Sequence, residues 1–138
     1  MNLDALESDL MTDEGFRGVP YLDTVGKLTV GFGRNLVDKP LTRAEAAWLL
    51  RNDVTDTMHS LDSRLPWWRT LDDVRQSVVV NMAYNLGTAK LQQFVKFLAA
   101  LKSGDYLKAA AEMRDSTWAH QVGARAARLA RQMETGTR

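Results

Sequence analysis

The chain has 138 residues, of which 45% are hydrophobic and 25% charged; it contains no cysteine, two histidines, and a net charge of +1. A chain of this size can fold as one domain without disulfides or a metal, and the composition excludes wholesale disorder, a thiolate zinc site and a cysteine nucleophile. No apolar run approaches the ~18 residues of a membrane span, and residues 1–20 carry five acids, so neither membrane insertion nor a secretory leader is expected.

The charge is uneven: −4 over residues 1–66, +2 over 67–101 and +3 over 102–138. An acidic front and a basic back fit two lobes that meet different parts of an anionic partner, and equally an ordinary solvated surface. The balance is not basic enough for a nucleic-acid partner. No metal site or cofactor is expected.

The first segment reads as a short helix. Leu3, Leu6, Leu10 and Met11 recur at helical spacing, Asp4 with Glu7 forms a capping pair, and Gly15 is a natural stop, which puts Glu14 in the last turn. From Val19 to Phe32 the pattern changes: Tyr21 and Leu22 lead into the turn-like Asp23-Thr24-Val25-Gly26, after which Leu28, Val30 and Phe32 alternate with Thr29, Gly31 and Gly33. This predicts a β-hairpin whose glycine side is thin enough for another surface to approach closely.

Everything after Pro40 reads as helix. Thr42 and Glu45 have capping-box spacing, and Ala47, Leu50, Val54, Met58, Leu61 and Leu65 line one face as far as Pro66. Thr70 with Asp73 opens the next helix, with Val74, Val78, Met82 and Leu86 inward and Gly87 as its end; further helices are predicted at 89–102, 105–115 and 124–133. The expected organisation is a single α+β domain over 1–138: a small α+β lobe at 1–40, a connecting helix at 41–66 and an all-α lobe at 67–138. A cleft between two such lobes is a usual place for a ligand.

Glu14 and Asp23 are the pair with chemical promise. The negative end of a helix disfavours an ionised carboxylate at Glu14, as a proton donor requires, whereas Asp23 in a polar turn with Thr24 and Thr29 nearby stays ionised more easily. Two carboxylates in contrasting environments are what cleavage of a glycosidic bond uses. Seventeen acids make many such pairs, and most carry no task. Trp48, Trp67, Trp68 and Trp118 could stack on sugars, but packing is the more ordinary role. Arg125, Arg128 and Arg131 recur every third residue, as a solvated helix face or a contact for an anionic partner. His59 and His120 have no partner motif.

Three blocks in order sharpen the reading: Glu14-Gly15-Phe16-Arg17, then Tyr21-Leu22-Asp23-Thr24-Val25-Gly26, then Thr29-Val30-Gly31-Phe32-Gly33. Together they resemble the catalytic lobe of the phage-type lysozymes of glycoside hydrolase family 24, whose pattern is E-G-x-R, Y-x-D-x-x-G and T-x-G-x-G. The resemblance continues through Asn81-Met82-Ala83-Tyr84-Asn85-Leu86-Gly87 and Ser116-Thr117-Trp118 to the closing Gly123–Arg128 segment.

The resemblance implies a lysozyme-like fold and a muramidase that hydrolyses the β-1,4 bond between N-acetylmuramic acid and N-acetylglucosamine. It makes Glu14 the general acid, with Asp23 and Thr29 on the water side, and it implies inversion at the anomeric carbon. Tyr84, Asn35 and Asn85 become substrate-binding candidates, and Trp118 a core residue of the helical lobe. Its partner would be bacterial peptidoglycan, met by a monomer that builds up in the host cytoplasm and reaches the wall through a holin-type membrane lesion. A lytic transglycosylase and a non-catalytic wall-binding module are the alternatives. Arg34 stands where many members have histidine, which could alter how the lobes latch. It lies only eight positions before Thr42, implying a cleft more open on that side.

Overall fold

A computed structural model describes all 138 residues, and the chain divides into two compact units, Met1–Trp48 and Leu49–Arg138. The first contains helix α1 (Leu3–Glu14) and an antiparallel sheet ordered β1 (Arg17–Leu22), β2 (Leu28–Gly31), β3 (Arg34–Asn35). The second is entirely helical. Helix α2 (Arg43–Arg64) begins in the first unit and continues into the second. The α+β, lysozyme-like class expected from the sequence is what the chain adopts.

α1 starts two residues earlier than the Asp4–Glu7 spacing suggests. Asn2 is its cap, accepting from the Ala5 N–H at 3.1 Å, since a short side chain with a carbonyl oxygen satisfies an otherwise orphaned N–H. Gly15, at φ 70°, ends the helix and so fixes Glu14 as its last residue.

The expected hairpin gains a third strand. Gly31 and Gly33, at φ 70° and 73°, reverse the chain around Phe32 and lay β3 antiparallel on β2. β1 pairs with β2 through Arg17↔Gly31, Tyr21↔Thr29 and Leu22↔Leu28, with an irregularity between Arg17 and Tyr21. That irregular stretch contains Pro20, tolerated because β1 is an edge strand and a proline offers no N–H to a ladder. Thr29, in the central strand, is the one buried residue of this small unit, with 3% of its surface exposed.

α2 opens with the capping box that its sequence predicts: the Glu45 N–H donates to Thr42 Oγ1 at 3.1 Å, and the Thr42 N–H donates to Glu45 Oε1 at 3.0 Å. The apolar face assigned to it is covered only in part. Ala47 and Leu50 are exposed, Val54 and Met58 half-buried, and Leu61 fully buried. After it come a single 3-10 turn at Trp68–Thr70 and α3 (Asp73–Leu86), capped by Asp72 rather than by Thr70 with Asp73. Gly87 closes α3 as expected.

The helix predicted over 89–102 is two pieces, α4 (Thr88–Leu91) and α5 (Val95–Ser103). α6 (Tyr106–Arg114) and α8 (Ala124–Thr135) match their predicted positions, and a helix absent from the sequence reading, α7 (Thr117–Val122), lies between them under a Ser116 cap. The core of this unit is Leu61, Trp68, Val78, Val79, Met82, Leu91, Phe97, Leu101, Met113 and Met133.

Candidate active site

Glu14 and Gly33 meet. A methyl group placed on Gly33 would lie 2.5 Å from the Glu14 Oε2 and 2.9 Å from its carboxyl carbon, closer than any real contact. The side chain that ends α1 therefore rests against bare backbone just past β2, and the close approach expected on the glycine side of the hairpin is made by Glu14.

Asp23 opens the five-residue loop between β1 and β2. Its Oδ1 accepts two backbone N–H groups, from Val25 at 3.0 Å and Lys27 at 2.8 Å, while its own N–H donates to the Lys27 carbonyl at 2.9 Å. An aspartate that bonds to the backbone ahead of it builds its own turn, so the carboxylate is held in place by the loop it organises. Oδ2 has no donor within the protein. Thr29, paired with Tyr21 on one side and Asn35 on the other, donates its hydroxyl to the Lys27 carbonyl at 3.0 Å. Asp23 and Thr29 thus share Lys27 as an anchor.

Asn35 is engaged by its own neighbourhood. Its Oδ1 accepts the Val37 and Asp38 N–H groups at 2.9 and 3.0 Å, and its Nδ2 donates to Asp38 Oδ2 at 3.0 Å. Arg34 makes a two-pronged ion pair with Glu45, at 2.5 and 2.9 Å, and donates to the carbonyls of Lys39 and Pro40. The Arg34 guanidinium, joined by the backbone and hydroxyl of Thr42, holds the Glu45 carboxyl far below the usual carboxylate range. All these partners lie within Met1–Trp48, so the arginine ties β3 to the start of α2 rather than acting as a free cation.

The remaining candidates belong to the helical unit. Tyr84 lines a groove of about 520 Å³ with Leu50, Val54, Met58, Val80 and Asn81. Asn85 Oδ1 accepts from the indole of buried Trp118 at 2.8 Å, so it also orients a core side chain. Of the tryptophans, Trp68 and Trp118 are buried and Trp48 is 68% exposed. Arg125 is drawn out of the arginine row: its guanidinium donates to Asn81 Oδ1 at 2.7 and 2.9 Å. Sequence reasoning missed Lys27, Asp38 and the particular task of Gly33; only the glycine left a signal, in its alternation with the apolar residues of β2.

A sequence model of the phage lysozyme family matches residues 11–135. The pre-baseplate central spike protein Gp5 of Enterobacteria phage T4 is 29% identical over 92% of the chain, which spans 27% of that relative's length. Probable T4-type lysozymes 1 and 2 of Dictyostelium discoideum are 26% and 25% identical over 96% of the chain and 95% of their own lengths. Those two alignments run to 162 and 163 positions, more than the 138 residues here, so these relatives carry residues that this chain lacks. The chain belongs to the phage lysozyme family.

Proposed function

We propose that this member of the phage lysozyme family is a glycosidase that hydrolyses bacterial peptidoglycan at the β-1,4 bond between N-acetylmuramic acid and N-acetylglucosamine. The observation that carries the reading is the contrast between its two carboxylates. Glu14 ends a helix and rests against Gly33, while Asp23 is fixed through Oδ1 by two backbone donors and keeps Oδ2 available. In the reaction Glu14 protonates the departing glycosidic oxygen. Asp23, with the Thr29 hydroxyl, orders a water and takes its proton as it attacks the anomeric carbon. Tyr84 and Asn85 are the sugar contacts we assign to the helical unit. In the cell the enzyme acts from the host cytoplasm, so its expression lyses bacteria only once the inner membrane is opened by a holin-type lesion.

The test is digestion of purified peptidoglycan with product analysis by mass spectrometry. Reducing-end muropeptides are expected. Anhydro ends would make the protein a lytic transglycosylase, and wall binding without release would make it a binding module. Glu14→Gln keeps the side chain's volume but has no proton to give, so it should fold normally and lose roughly two to four orders of magnitude in rate. Near-native activity in that variant removes Glu14 from the mechanism.

A further inference from the structure

The loop that carries Asp23 and leads into the strand of Thr29 is gripped at a third residue, one outside the motif pattern and the chemistry above. Lys27 serves both through its backbone: its N–H holds Asp23 Oδ1, and its carbonyl accepts the Asp23 N–H and the Thr29 hydroxyl. Its side chain is not free. The Lys27 Nζ donates to both oxygens of Asp38 at 2.7 Å, and Asp38 is steadied by Asn35 Nδ2 at 3.0 Å. Asn35 in turn belongs to β3 and stands opposite Thr29 in the sheet register. A closed circuit results: Lys27 to Asp38, Asp38 to Asn35, Asn35 across the ladder to Thr29, and Thr29 back to the Lys27 carbonyl, with Asp23 tied to it at Lys27.

We propose that the Lys27–Asp38 ion pair is a positioning device for the water side of the reaction, holding the Asp23 carboxylate and the Thr29 hydroxyl in one fixed relation. The proposal rests on the reading of Asp23 and Thr29 given above. The pair itself is open to solvent, with 40% of the Lys27 and 58% of the Asp38 side chain exposed. Exposed pairs contribute little to folding stability. A displacement of about 1 Å in a reacting group, in contrast, can lower a rate by up to about a hundredfold. A positioning role and a merely structural one therefore differ in what they leave unchanged.

The experiment measures kcat, KM and the thermal midpoint on peptidoglycan fragments for the wild type, Asp38→Ala, Lys27→Met, Lys27→Arg and Asp23→Asn. Asp38→Ala and Lys27→Met should each lower kcat about tenfold or more. KM should stay within about twofold and the thermal midpoint within about two degrees, as removal of a weak exposed pair allows. Lys27→Arg retains the cation and should recover most of the loss. Wild-type kcat in Asp38→Ala while Asp23→Asn is inactive overturns the proposal alone. A loss of rate that only tracks a loss of folded protein, with Lys27→Arg as poor as Lys27→Met, also overturns it. Equal activity of Asp23→Asn and the wild type removes Asp23 from the mechanism and overturns both readings.

Discussion

Gly33 bears on the proposed acid although it has no side chain. Its φ of 73° lies in the left-handed region, and the space where a Cβ would stand is taken by the Glu14 carboxyl. Gly33→Ala must therefore either displace the proposed acid or bend the backbone. The backbone term alone is about 1–2 kcal/mol, and misplacement of the acid is expected to reduce the lytic rate about a hundredfold. Thermal unfolding and the rate of reducing-end release check the two parts separately. A variant with unchanged rate would show that Glu14 can work from another position. Glu14, Asp23 and Thr29 stand out as candidates in the sequence because each lies in a block of fixed spacing. Lys27 and Asp38 do not: they are eleven positions apart, and nothing periodic links a lysine in a turn to an aspartate beyond the next two strands.

Elements were legible where their ends are built from local chemistry. Gly15 and Gly87 stop α1 and α3, and the Thr42–Glu45 box starts α2, because caps act within four residues of themselves. The break between α4 and α5 carries no such mark. Gln92, Gln93 and Phe94 contain no helix breaker, and the turn tightens there through bonds from the Gln93 and Phe94 N–H groups to the Lys90 and Leu91 carbonyls, at 3.0 Å each. Periodicity likewise named the apolar face of α2 without showing that its first turns stay uncovered.

The same capping box yields a prediction about acid. Arg34 and Thr42 keep Glu45 ionised below its ordinary range, so its contribution to stability is complete above about pH 4.3, the unfolded value. The contribution declines progressively as the pH falls from there towards the lower folded value. An NMR titration should find the Glu45 carboxyl still charged well below the pH at which an ordinary glutamate titrates, and Glu45→Gln should shrink the loss of stability between pH 7 and pH 3, leaving the part carried by Asp62 and Asp72, which are also held below their ordinary range. A Glu45 that titrates near about 4.3 would mean that the Arg34 pair does not persist in solution.

At the scale of the whole chain the charges divide with the units: Met1–Trp48 carries −3 and Leu49–Arg138 carries +4. The acids of the proposed reaction thus lie in an acidic unit, and 13 of the 18 cations lie in the other. Peptidoglycan and its attached polymers are anionic, so a basic helical unit should draw the enzyme to the wall. The row on α8 that the sequence suggested is shorter than its spacing implied, because Arg125 is bound to Asn81 while Arg128 and Arg131 remain exposed. Lysis of whole walls should slow between about 0.05 and 0.5 M salt, as the screening length falls from somewhat over 10 Å to under half that. Arg128→Glu with Arg131→Glu should weaken wall binding and flatten the salt response, and Arg125 is left in place because reversing it would break a bond between α8 and α3. Activity on short neutral oligomers, where accepted, should be spared, since no long-range attraction is at stake there. Unchanged binding and an unchanged salt response in the folded double variant would make the two arginines an ordinary solvated face.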